Sequence, residues 1–140
     1  MSFVMSPEER AAFLSEVHVG VLAVERAGRA PLAVPIWYGY RHDEIRIWME
    51  RDSVKDRAIR AAGRFSFTVQ TETPPYRYVT AEGPVVAADG PPSREEAESI
   101  AGRYLPASQV ASYVDTALHD RTVLVRMRPA RWLSNDHGKG

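Results

Sequence analysis

The sequence predicts a mainly β, α+β fold: six strands forming an antiparallel, closed or partly closed barrel, with helices at its periphery. Three observations lead there. Six runs have strand character, several with apolar and polar residues in alternation. Most are separated by short Gly-, Pro- or Asp-bearing segments, and hairpin-length turns join antiparallel neighbours. Closure of such a sheet removes the exposed edges that invite association with other chains.

A helix opens the chain. Ser6 is its N-cap, Pro7 occupies the first helical position and Glu9 completes a capping box. Phe13, Leu14 and Val17 share one face, and the helix is expected to end near His18. The first strand covers residues 18–25 and stops at the turn Arg26-Ala27-Gly28-Arg29. The second covers residues 31–40; Pro35 cannot donate to a ladder, which marks an edge, a bulge or a break. In residues 44–51, Ile45, Ile47 and Met49 point one way and Arg46, Trp48 and Glu50 the other. A short helix over residues 53–62 closes at Gly63. Phe65, Phe67 and Val69 then alternate with Ser66, Thr68 and Gln70. After Pro74-Pro75 a long strand runs over residues 77–88, with a bend at Gly83-Pro84. Ser93 and Glu96 make a second capping box, opening a helical region over 94–118 that breaks around Pro106. The last strand, residues 122–133, puts Val123, Val125 and Met127 on one face.

The totals fit one domain spanning residues 1–140, with 44% hydrophobic residues. The absence of cysteine excludes disulfides, thiolate metal sites and cysteine nucleophiles. Eighteen basic residues balance eighteen acidic ones, unlike a surface built throughout for nucleic acid. The N-terminus lacks the basic start and apolar core of an export signal, and no run is long enough to span a bilayer. The expectation is a cytoplasmic protein that engages neither nucleic acid nor membrane.

The residues suggest three candidate site segments. Ser53-Val54-Lys55-Asp56-Arg57 lies where a strand hands over to a helix. Helix starts bind anions through free N–H groups and the positive dipole end. Cations there oppose the dipole unless an anion sits between them, and Lys55 and Arg57 occupy that turn, flanked by Arg51 and Arg60. The same pattern also describes a plain Ser53 cap on a solvated basic face. Pro35-Ile36-Trp37-Tyr38 reads either as the wall of a planar-ligand site or as core and interface filling. Tyr76-Arg77-Tyr78 lines a pocket or forms a cross-strand surface stack. Arg126, Arg128 and Arg131 form an anion clamp or a charged outer strand face. His18, His42, His119 and His137 have no metal-ligand spacing, so no metal is expected.

Taken in order, these segments resemble the pyridoxamine-phosphate-oxidase-like, split β-barrel flavin-binding superfamily, and its small flavin and deazaflavin oxidoreductases in particular. The resemblance is carried by Val19-Gly20-Val21-Leu22-Ala23-Val24, Pro35-Ile36-Trp37-Tyr38 and Ser53-x-Lys55-x-Arg57. Pro74-Pro75-Tyr76-Arg77-Tyr78-Val79-x-x-Glu82-Gly83 and the closing Arg128-Pro129-x-Arg131-Trp132-Leu133 complete it. It implies an FMN-binding-protein-like split barrel, a homodimer with two cofactor sites, and a small-molecule substrate. It further implies that Ser53, Lys55 and Arg57 hold a cofactor phosphate and that residues 35–38 lie along the ring system. Trp132 then marks where the partner subunit approaches.

The resemblance implies coenzyme F420 or FMN as the cofactor, although some similar members use neither. F420 is a deazaflavin whose tail carries a phosphate and then carboxylates, which suits a wide cationic groove of Arg51, Lys55, Arg57, Arg60 and Arg64. The expected activity is F420-dependent reduction of a small conjugated substrate, with Tyr38, Tyr76 and Tyr78 as candidate proton donors. An FMN-dependent oxidoreductase and a non-catalytic cofactor-binding module are the alternatives. Two departures matter. Ala58 stands where many relatives carry Asn, and the C-terminal pattern of true pyridoxamine-phosphate oxidases is missing from residues 132–137. That particular reaction is therefore not expected.

Overall fold

Among the described residues, eight strands, not six, make up the sheet. The structure, a computed structural model, describes residues 2–139. The strands are β1 (Gly20–Arg26), β2 (Arg29–Ile36), β3 (Gly39–Arg41), β4 (Glu44–Glu50), β5 (Arg64–Gln70), β6 (Arg77–Ala87), β7 (Thr122–Met127) and β8 (Arg131–Asp136). Four α-helices accompany them: α1 (Pro7–Ser15), α2 (Val54–Ala62), α3 (Arg94–Ala101) and α4 (Ala107–Ala117). A short 3-10 turn, His137–Lys139, follows β8.

The two additional strands come from runs that break. The run at 31–40 leaves its ladder at Trp37-Tyr38, separating β2 from β3. The last run breaks at Arg128-Pro129-Ala130, where proline has no N–H to donate. That break lets the chain change partners: β7 pairs with the end of β6 and with β4, whereas β8 pairs with the start of β6.

The sheet is open, with strand order β2-β1-β5-β6-β7-β4-β3 and β8 beside β6. It does not close into the expected six-stranded barrel. Its β2 edge contains Pro31 and Pro35, and proline is suited to an edge because it interrupts further pairing. At the other end, β3 is only three residues long.

Alternation places the core. Leu22, Val24, Ile45, Ile47, Phe65, Phe67, Val69, Val79, Val123 and Val125 are all buried within it. Ile59 of α2 and Phe13 and Leu14 of α1 plug the same cluster. A smaller cluster of Ala97, Ala101 and Val114 joins α3 to α4, with Trp48 packed against it.

Helix ends follow the sequence closely, with two differences. α1 ends at Ser15, three residues before His18. Its C-terminal carbonyls receive Arg103, whose guanidinium donates to the Glu16 carbonyl at 2.7 Å. At α3, Ser93 accepts from the Glu96 N–H, but the Glu96 carboxylate turns to Arg46, so the box is only half formed. Among the described residues, no helix is long and apolar enough to cross a membrane.

Candidate cofactor site

The turn from β4 into α2 is held by its own side chains. Asp52 sits at φ +64°, a left-handed conformation in which Asp is enriched. Its N–H donates to Asp56 Oδ2 at 2.8 Å, and its carboxylate accepts from Arg121 at 2.8 Å. Ser53 Oγ accepts from the Asp56 N–H at 3.2 Å, the N-cap that the sequence predicts. The N–H groups of Val54 and Lys55, first in the helix, have no intrahelical partner to donate to.

The basic residues around this turn divide into two sets. Arg51 donates to the Asp89 carbonyl at 2.8 Å. Arg60 donates to Asp56 at 2.9 Å and to the Ala88 carbonyl at 2.9 Å, and Arg64 donates to Glu25 at 2.7 Å. Lys55 and Arg57 have no side-chain hydrogen bond or ion pair among the described residues. Of the five cations expected to line a groove, three are thus committed to the protein.

Pro35, Ile36 and Trp37 line a cavity of about 520 Å³ whose lining also includes Trp48, Glu50, Tyr113 and His119. Glu50 ends β4, three residues before Ser53, so the cavity reaches the approach to α2. Trp37 stacks on Tyr104, with ring centres 4.9 Å apart and planes 6° from parallel. Arg57 lines a separate cavity of about 640 Å³, together with Arg26 and Arg29 at the β1–β2 turn.

Tyr38 belongs to the core. It is fully buried, and its hydroxyl donates to the Leu14 carbonyl at 2.6 Å. Burial pushes its ionisation well above the ordinary tyrosine value. With its proton engaged and no exposure, it is out of reach of a substrate, which corrects its place among the candidate proton donors. Tyr76 is exposed and Tyr78 is paired within β6 between Gln70 and Asn135; neither lines the Trp37 cavity. Trp132 packs against the core opposite Ala81, with the Arg10 guanidinium 4.4 Å from its ring centre. It too lies outside that cavity.

The other candidates have structural partners. Arg126 and Arg128 donate to the buried carboxylate of Glu44, at 3.3 and 3.2 Å. They clamp an internal anion, and Arg46 links that carboxylate to Glu96. His18 stacks on Phe13, and His42 forms part of the β3–β4 turn. Trp48, Tyr113 and His119 are the site residues that sequence reasoning missed. Trp48 left one signal, a large aromatic on the outward face of an alternating strand. Tyr113 and His119 left none, because only packing of α4 beside β4 brings them to the cavity.

An open, mainly antiparallel sheet with a few peripheral helices is the fold of a class, the pyridoxamine-phosphate-oxidase-like flavin-binding proteins. The chain belongs to the pyridoxamine 5'-phosphate oxidase family, whose sequence profile matches residues 6–132. Among solved structures, it resembles a conserved hypothetical protein of Mycobacterium tuberculosis, with 26% identity and a TM-score of 0.77. That match covers 99% of this chain and 89% of the other. It also resembles an F420 reductase, with 22% identity and a TM-score of 0.72, covering 91% of this chain and 98% of that one. An FAD-binding protein from Mesorhizobium loti is 20% identical, with a TM-score of 0.63 and 93% of each chain covered. At such identities the last two speak for the fold alone. A comparison with curated proteins finds no match.

Proposed function

We propose that this protein is an oxidoreductase that holds coenzyme F420 by its phosphate at the start of α2 and by its ring along Pro35, Ile36 and Trp37. The observation that carries the reading is the pair of unengaged cations, Lys55 and Arg57, on a helix whose first N–H groups are free. The neighbouring slot has the proline and aromatic surface that suits a planar ring. Once bound, the group supplies hydride exchange with a small conjugated substrate. The chain's own residues position the phosphate and ring and exclude water.

FMN is the second reading, because it shares the phosphate and the ring. F420 is favoured by the Arg57 cavity, where Arg26 and Arg29 offer charge to carboxylates beyond the phosphate. This groove differs from the one expected from sequence, since Arg51, Arg60 and Arg64 have protein partners. No tyrosine is assigned a proton-transfer role.

The reading includes a homodimer. Leu133, Thr80, Thr68, Val21 and Pro35 form a continuous row across five strands. Their side chains lie on the face opposite the core, where Val19, Val21 and Leu133 are exposed. An apolar sheet face of this kind suits a second copy of the chain.

Titration of the purified protein with F420 and, separately, FMN tests the cofactor through its fluorescence. F420 is expected to bind more tightly. Lys55→Ala combined with Arg57→Ala is expected to weaken either cofactor by about 100-fold or more, since two charge-assisted contacts are lost. Arg29→Ala is expected to weaken F420 about fivefold and leave FMN unchanged. Unaltered affinity in the double variant overturns the site, and a preference for FMN moves the protein to the second reading. Binding without turnover across enones and quinones makes it a binding module instead.

A further inference from the structure

Besides Pro35, Ile36 and Trp37, the lining of the Trp37 cavity includes Trp48, Tyr113 and His119. Tyr113 holds the two tryptophans together. Its ring centre lies 5.4 Å from Trp37 and 6.2 Å from Trp48, the latter edge to face. It is carried by α4, which the Ala97–Ala101–Val114 cluster fixes to α3. Such rings offer flat π surface to a planar ligand.

His119 adds one polar group, and its neighbours set the orientation of that group. The Arg121 N–H donates to His119 Nδ1 at 3.2 Å, so Nδ1 is the acceptor and the neutral ring carries its proton on Nε2. The loop is fixed further by Thr122 Oγ1, which accepts from the His119 N–H at 3.1 Å and donates to the Ala117 carbonyl at 3.1 Å. His119 Nε2 lies 4.0 Å from Glu50 Oε1, too far for a hydrogen bond. Its N–H is thus a donor without a partner among the described residues, on a cavity wall that also bears the Glu50 carboxylate. An anionic ligand is disfavoured beside Glu50, whereas a neutral acceptor oxygen fits the gap.

We propose that Trp48, Tyr113 and His119 form a binding subsite for a neutral, flat, conjugated ring whose carbonyl or nitro oxygen accepts from His119 Nε2. The proposal rests on the cofactor reading only in leaving the Pro35–Trp37 side of the cavity to the cofactor ring.

Menadione is a suitable probe, being flat, neutral and carbonyl-bearing; the chain has no cysteine for it to alkylate. Two of the three tryptophans line the cavity, and Trp132→Phe removes the third. In that background, menadione is expected to quench tryptophan fluorescence saturably, both with and without bound cofactor. His119→Ala is expected to weaken it about tenfold, and His119→Gln, which keeps an N–H at similar reach, to restore most of the loss. Tyr113→Leu is expected to weaken it by a similar factor, and circular dichroism checks that each variant is folded. Cofactor affinity is expected to be the same in the His119 variants. The subsite is overturned if menadione binds these variants as it binds the parent, or if His119→Gln behaves like His119→Ala. Mutually exclusive binding of menadione and cofactor overturns it as well. Absence of cofactor binding with His119-dependent quenching intact removes the cofactor reading and leaves the subsite standing.

Discussion

Asp56 ties the start of α2 to its surroundings through one buried carboxylate. It accepts from the Asp52 N–H and from Arg60, while its own N–H caps on Ser53. Asp56→Ala removes two hydrogen bonds and leaves the Asp52 N–H without its acceptor. A loss of about 2–3 kcal/mol is expected in urea unfolding, along with weaker cofactor binding because the turn that presents Lys55 loosens. Glu9 acts at the other end of the chain. Lys139, which donates to it at 2.7 Å, and the Ser6 N–H hold its carboxyl down to about 2, from an ordinary 4.5. A lowered carboxyl stabilises the fold above the unfolded value, and that contribution is lost as the pH falls from about 4.5 through about 2. Glu9→Gln should therefore unfold like the parent at the acid extreme and less stably than it above pH 5. A parallel pH dependence in the two proteins would show that the pair is not coupled to folding.

At the scale of elements, β6 organises the sheet because one strand serves two partners along one edge. Arg77 to Glu82 pair with β8, and Val85 and Ala87 pair with β7. Gly83 sits at the changeover, where an added Cβ would collide with the Arg128 carbonyl and crowd the Ala130 nitrogen. Gly83→Ala is expected to cost about 2 kcal/mol or more, measured by thermal or urea unfolding, because backbone atoms must move to admit it. Gly83-Pro84 was legible as a turn signal inside a strand run, but β6 stays in register with β5 through both residues, and its irregularity against β7 lies further on, between Val85 and Ala87. The strand count was not legible. Pro129 lay within the last run, yet local pattern alone does not show that both halves find room beside β6. The α2 cap was legible throughout, from Ser53 to Gly63 at φ +72° in the left-handed conformation.

For the whole molecule, the outward sheet face is where the dimer reading is tested. Val21→Asp with Leu133→Asp places charges towards both ends of the cross-strand row without touching the buried core. Sedimentation is expected to give a dimer for the parent and a folded monomer for the variant, with weakened cofactor binding if two chains complete each site. A parent that sediments as a monomer removes the dimer from the proposal.

Local rules in the sequence determined the helices, the alternating core faces, the Ser53 cap and the cationic turn that follows it. Each depends on neighbours within a few residues. Tertiary structure decided which cations stay free, because Arg51, Arg60 and Arg64 are engaged by partners drawn in part from distant strands and loops. It also decided that Tyr38 faces the core while Trp37 faces the cavity, and that α4 and the turn after it bring Tyr113 and His119 to the lining of that cavity. Those outcomes depend on long-range packing and on the alternatives open to each polar group, which no local pattern encodes.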